Sequence, residues 1–167
     1  MKELLIIPFI TVPIYLLYMY FKYGMTISIS ATYKHAKGLE RLWFSATLVS
    51  IELPIMIVGI EAVQNDVSEV LFFIAGSLLC LVAASPAYWS NKMELTAHLI
   101  GSYGTISFGI IACIVYLFNP VTILLTGIYA LFVISQFFIN KLKLPNFKYW
   151  LEIGAIIVVP LILYLTK

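Results

Sequence analysis

Six stretches of this chain are apolar for about as long as a bilayer is thick, and the charged residues stand in the gaps between them. A hydrocarbon core of about 30 Å takes roughly 20 residues of helix at about 1.5 Å rise each. Cut by that length, the runs are Glu3 to Tyr23, Leu42 to Val63, Val70 to Trp89, Ala97 to Phe118, Val121 to Ile139 and Trp150 to Leu165. Hydrophobic residues are 62% of the 167, charged residues 11%, and mean hydropathy is +1.02, a balance that a soluble domain of this size cannot bury in one core. Helix is the expected spanning form, because lipid offers no partner for backbone N–H and C=O groups and the runs lack the alternation of a membrane barrel strand. The fold class expected is therefore an all-α polytopic transmembrane bundle of about six spans in a single domain, residues 1–167. Between the fourth and fifth runs stands Asn119-Pro120, which suits a tight hairpin because proline cannot continue a helix. A re-entrant pair is the alternative there.

Charge sets the expected orientation. Lys22, Lys34, Lys37, Arg41, Lys92, Lys141, Lys143 and Lys148 fall in the first, third and fifth loops, and the other side holds Lys2 and Lys167. By the positive-inside rule loops 1, 3 and 5 face the cytoplasm, as in a bacterial inner membrane protein, and both termini lie outside. The second loop, Gln64 to Ser68 flanked by Glu61, Asp66 and Glu69, is then an acidic external turn. Trp43, Trp89 and Trp150 sit at span ends beside the basic loops, where an indole buries its ring and keeps its N–H wet. The first run is expected to be retained rather than cleaved, since Pro8 and Pro13 interrupt it and no small-x-small cleavage site precedes Lys22. The longest gap, Gly24 to Arg41, alternates Thr26, Ser28 and Ser30 with Ile27 and Ile29. It reads as a solvated cytoplasmic loop drawn to anionic headgroups by its lysines, with a short extended or interfacial segment as the alternative.

Candidate functional residues are polar groups at membrane depth, where an ionisable side chain is costly and faces a partner or a cavity. Glu52 is the foremost, near the middle of the second span and two residues before Pro54, whose ring removes one helical hydrogen bond and kinks the chain beside the carboxyl. His98 opens the fourth span with Ser102, Thr105 and Gly109 at helical spacing and Gly101 beside them. That face is either a small-residue seam (Ala97, Gly101, Thr105, Gly109) or the wall of a polar cavity with histidine as proton carrier. A matching surface of Gly76, Cys80, Ala84 and Ala87 pairs the third span with the fourth as an antiparallel hairpin and sets Ser85-Pro86 level with His98. Glu152, two residues past Trp150, is expected to lie shallow and to snorkel or pair with Lys148. Glu52, Ser85, His98, Ser102 and Glu152 all map to the cytoplasmic half and suggest one cavity opening there. Cys80 and Cys113 lie in spans and read as small packing residues, with no Cys-x-x-Cys pair or neighbouring histidine to hold a metal.

The stretch Ala75-Gly76-Ser77 through Ala83-Ala84-Ser85-Pro86, followed by His98-Leu99-Ile100-Gly101, resembles small uncharacterised six-helix bacterial integral membrane proteins. That resemblance implies the fold and carries no activity across. In size and span count the chain is also similar to the substrate-binding subunits of energy-coupling-factor vitamin transporters, but Pro8, Phe9, Pro13 and Tyr15 stand where their small-residue coupling motif is expected.

Three function classes follow, in order. The first is a small transporter or channel moving protons, ions or a small solute past Glu52 and His98. The second is an accessory, sensor or assembly subunit that packs through its glycine-bearing fourth span against a second copy or another membrane subunit. The third is an intramembrane enzyme acting on lipid, for which no nucleophile and base are evident. No cofactor or metal is expected, the partner medium is membrane lipid, and a net charge of +2 is no reason to invoke nucleic acid.

Overall fold

The computed structural model describes residues 2–62, 66–139 and 144–166, and every regular element among them is helical. A 3-10 turn, Lys2–Leu5, leads into α1 (Ile6–Tyr23), followed by a single short turn of helix α2 (Thr32–His35) and then α3 (Leu39–Ala62), α4 (Asp66–Ala84), α5 (Lys92–Tyr116), α6 (Pro120–Phe138) and α7 (Phe147–Thr166). Among the described residues five helices are long and apolar enough to cross a membrane: α1 with its leading turn, α3, α5, α6 and α7. The fourth, α4, contributes a shorter apolar stretch, Glu69–Ala84. The chain is an integral membrane protein built as an all-helical bundle. Its outer surface agrees, because Ile10, Ile14, Leu17 and Phe21 line one exposed face of α1 and Leu124, Ile128 and Leu131 one of α6, more apolar surface than a water-soluble chain leaves uncovered.

Local chemistry sets the helix ends. Gly24, at φ +76°, ends α1 by donating its N–H to the Tyr20 carbonyl at 2.9 Å, and Gly38, at φ +52°, turns the chain into α3; both sit in the left-handed region that glycine enters without steric cost. The spans differ from their sequence-derived bounds where caps overrule hydropathy. The third ends at Ala84 rather than Trp89, because the residue before Pro86 is pushed out of helical geometry. The fourth starts at Lys92 rather than Ala97, because the Asn91 side chain accepts the Glu94 N–H at 2.8 Å and nucleates the helix early. Asn119 does the same for α6, accepting from Thr122 N at 3.0 Å with Pro120 at the first helical position.

The core of the bundle is α3, α4 and α5. Along the α4/α5 seam, Ala75, Val82 and Ser85 meet Thr105, Gly101 and His98 in descending order, the mark of an antiparallel hairpin. Glycine permits the approach, since a Cβ on Gly101 would stand 2.7 Å from the Leu78 carbonyl oxygen. Gly76 does not join this seam as its spacing suggested. It faces α3, where a Cβ would fall 2.0 Å from Met56, while Gly59 of α3 receives the Phe72 ring. The glycines of α5 are thus consumed inside the chain: Gly101 and Gly104 press on α4, and Gly109 faces Val159 of α7. On the far flank, α6 lies against α7, where the Tyr129 ring covers Gly154 and its hydroxyl donates to Leu151 O at 3.1 Å.

At the basic-loop end α1 is clipped to α3. The Glu40 carboxylate accepts from Lys22, from Tyr18 and Tyr23 hydroxyls at 2.6 and 2.7 Å, and from the Lys37 N–H at 2.9 Å. Nothing in the spacing of these residues marked the cluster, which joins three sequence segments. Replacing Gly101 by Leu should cost at least about 1–3 kcal/mol by overpacking against rigid backbone. Gly127 of α6, with nothing within 4 Å of its would-be Cβ, should accept Leu freely. Thermal unfolding of both variants in detergent checks the pair.

Candidate functional site

The lysine-bearing residues 34–38 are exposed apart from Ala36, but residues 26–32 do not form the solvated loop expected. Thr26, Ser28, Ile29, Ser30, Ala31 and Thr32 are all buried, each below 10% exposure. The segment turns inward between α3 and α7, and its polar groups are consumed locally: Thr26 Oγ1 donates to Ser28 O at 2.7 Å, the Ala31 N–H bonds Ser28 Oγ at 3.0 Å, and Thr32 Oγ1 donates to Ile29 O at 2.6 Å. Tyr15 of α1 holds Thr32 from the side, hydroxyl to hydroxyl at 2.7 Å. Short Ser and Thr side chains suit this task because they bond backbone within a residue or three and relieve groups that water cannot reach.

Glu152 takes two of the segment's backbone donors. Its Oε2 accepts the Ile29 N–H at 2.6 Å and the Ser30 N–H at 3.3 Å. Glu152 stands five residues into α7, about 8 Å along the helix from its start. The expected snorkelling or pairing with Lys148 is therefore not what the carboxylate does. A charge-assisted acceptor for two enclosed N–H groups is a better use of it than an exposed pair, which contributes little.

Above this latch lies a cavity of about 80 Å³. It is bounded by the inturned segment and by α3, α4, α5 and α7. Ser30, Ser102, Thr105 and Glu152 border it, but the surface it presents is almost wholly apolar, with Leu48, Ile51 and Val159 representative. On α5 the wall runs from Ser102 to Gly109, ten to seventeen residues past Lys92, or about 15 to 26 Å along the helix. The cavity thus reaches from the basic-loop side to the middle of the bundle.

The five polar residues grouped by sequence separate into three places. Ser102 and Glu152 share the cavity. His98 and Ser85 meet each other: His98 Nδ1 lies 3.2 Å from the Ser85 carbonyl, so that nitrogen carries the hydrogen, and the ring stacks on Tyr88 with centroids 4.5 Å apart. His98 therefore caps an orphan carbonyl at the end of α4, and it does not line the cavity as a proton carrier. Glu52 is buried at 4% exposure on the α3/α4 seam, also away from the cavity wall, and accepts from Cys80 Sγ at 2.6 Å. Its Oε2 is enclosed without a hydrogen-bond partner among the described residues. Cys80 is exposed on the bundle surface rather than packed within it, whereas Cys113 is fully enclosed. Of the residues assigned to packing, Thr105 and Gly109 also line the cavity, and Thr105 Oγ1 donates to the Ala75 carbonyl at 3.1 Å. Gln64, Lys141, Lys143 and Lys167, used to argue orientation, lie outside the described residues.

The inturned segment escaped notice although a signal existed: from Gly24 to Tyr33 the chain carries no charge. A stretch of Ser, Thr and Ile without a lysine fits enclosure better than water. Among the described residues no three His, Cys, Asp or Glu side chains gather in a metal-binding group. No family model, curated protein or solved structure matches the chain.

Replacing Glu152 by Leu strands two enclosed donors, each worth about 1–3 kcal/mol, whereas Gln keeps one neutral acceptor. Hydrogen exchange of residues 25–31 should accelerate at least tenfold in Glu152→Leu and less in Glu152→Gln, with exchange in α4 unchanged.

Proposed function

We propose that this protein moves a small solute across a membrane through the central cavity, with the segment Met25–Ala31 as its gate and Glu152 as the latch. The observation that carries this reading is the bond from Glu152 Oε2 to the Ile29 and Ser30 N–H groups, made at the rim of a cavity that the same carboxylate helps to line. Irregular backbone at membrane depth is tolerated where it is enclosed by protein or borders a cavity, and in transporters such segments are the parts that bind and gate. A solute or proton that engages the carboxylate competes directly with the two N–H donors, so occupancy and opening are coupled through one side chain. The path runs through Glu152 and Ser102 rather than Glu52 and His98.

Six crossings are part of the proposal, with α4 completing the set, the loops that carry Lys34, Lys92 and Lys148 on the cytoplasmic side and both termini outside. The supporting facts are the antiparallel order of α3, α4 and α5 and the placement of basic residues at one end. Cysteines placed at Lys34 and at Val67 should label from opposite sides of sealed vesicles. In proteoliposomes, Glu152→Gln should reduce solute or proton flux at least tenfold while the protein still folds. Equal flux from wild-type and empty vesicles under pH and voltage gradients would end the transport reading.

A second reading rests on Glu52. An enclosed acceptor with one oxygen unpartnered, beside a thiol at the bundle surface, suits a donor from a neighbouring helix, as an assembly subunit requires. Under that reading Glu52→Leu changes the oligomeric state in mild detergent and leaves flux unaltered.

A further inference from the structure

A second concavity lies apart from the central one, as a groove between α1 and α7. It holds about 620 Å³, against about 80 Å³ for the central cavity, and its walls are almost wholly apolar. On α1 the wall runs from Phe9 through Pro13 and Leu16 to Tyr20, and on α7 from Trp150 to Ile157. Met25 borders it where α1 ends, and Ile156 is common to the groove and the central cavity. Leu17, Tyr20 and Ile157 stay exposed along it, so its long side opens to the bilayer.

The two ends of the groove differ. At one, the turn Lys2–Leu5 reaches across to α7, with Lys2 Nζ 4.7 Å from the centre of the Tyr164 ring. At the other stand the exposed rings of Tyr20 and Trp150, and amphipathic aromatics of this kind sit at the headgroup level of a bilayer. From Tyr20 back to Phe9 is eleven residues, about 17 Å of helix, or close to half of a ~30 Å hydrocarbon core. A lipid tail that enters at the aromatic end and stops near the midplane fits this depth.

Charge decides between the occupants that such a groove admits. Among the described residues its aromatic end carries Lys22, Lys34, Lys37, Arg41, Lys92 and Lys148 against the carboxylates of Glu40, Glu94 and Glu152. Glu40 is taken by Lys22 and Glu152 by backbone donors, which leaves a positive excess at the headgroup layer. A second copy inserted in the same orientation would bring an equal excess against it, and like charges repel, whereas a lipid phosphate brings the opposite sign. We infer that the α1/α7 groove binds one acyl chain of an anionic phospholipid from the leaflet at the basic-loop end. Its phosphate is drawn by Lys148, which is exposed two residues before Trp150. This site stands independently of the transport reading.

The test uses purified full-length protein in mild detergent with palmitoyl-oleoyl phosphatidylglycerol, and phosphatidylcholine of the same chains as the zwitterionic control. Native mass spectrometry should count one phosphatidylglycerol retained per chain, preferred over phosphatidylcholine by about fivefold. Lys148→Gln should remove most of that preference. Ile153→Phe, which fills the groove from α7, should lower retention of both lipids at least about tenfold, the equivalent of two methylenes lost from burial. Because a larger ring can also disturb α7, Leu17→Trp, at an exposed position of the α1 wall, is the second variant and should act alike. Ile128→Trp, similarly exposed on α6 outside the groove, should change nothing. Retention unchanged in both groove variants, or equal retention of the two lipids by the wild type, would overturn the assignment. So would an oligomer that Leu17→Trp splits into single chains, since the groove would then hold a second copy.

Discussion

A backbone amide in hydrocarbon has nowhere to send its hydrogen, and the rest of this structure depends on that fact. Helices answer it for most of the chain by pairing every interior donor with a carbonyl one turn back. The segment between α1 and α3 pairs its backbone locally only from Ser28 onward. Its own Ser and Thr hydroxyls take some of the load, and the donors on Ile29 and Ser30 go to a carboxylate 122 or more residues away in the chain. That acceptor and the Tyr15–Thr32 bond tie the segment to α7 and α1. The same demand explains His98, whose ring hydrogen serves the carbonyl of Ser85 where Pro86 ends α4.

Close packing then decides which faces are used up. Gly101 brings α5 against the backbone of α4, and Gly76 and Gly59 do the equivalent between α4 and α3. Three helices that approach this closely form a rigid block. The other elements arrange themselves around it, with α1 clipped on through Glu40 and α6 attached chiefly through α7. Between the block, α7 and the inturned segment a small space remains, and Glu152 stands where these parts meet. The residue that holds the irregular segment thus also borders the cavity.

Polar residues in a membrane chain do not all have the same meaning. Glu52 and Glu152 look alike in sequence, each a lone carboxyl in an apolar run. One sits on a helix seam against a surface thiol with an oxygen left over. The other is saturated by backbone donors on one oxygen and borders the cavity. Only the second joins the irregular segment to the cavity. Glu52 keeps a different use, as an acceptor that a neighbouring helix could satisfy.

The amino-acid sequence by itself determined the membrane class and the helical form, because hydrocarbon thickness and backbone satisfaction act on composition and length alone. It also placed Ser85 level with His98, since an antiparallel hairpin across a short loop leaves little choice of register. Which face of α4 met which neighbour was not legible: Gly76 and Cys80 fit a seam with α5 by spacing, and van der Waals packing put them against α3. The burial of residues 28–32 and the role of Glu152 were decided by tertiary structure. A carboxylate and two N–H groups so far apart in the chain carry no mutual signal in sequence, and only folding brings the acceptor to its donors.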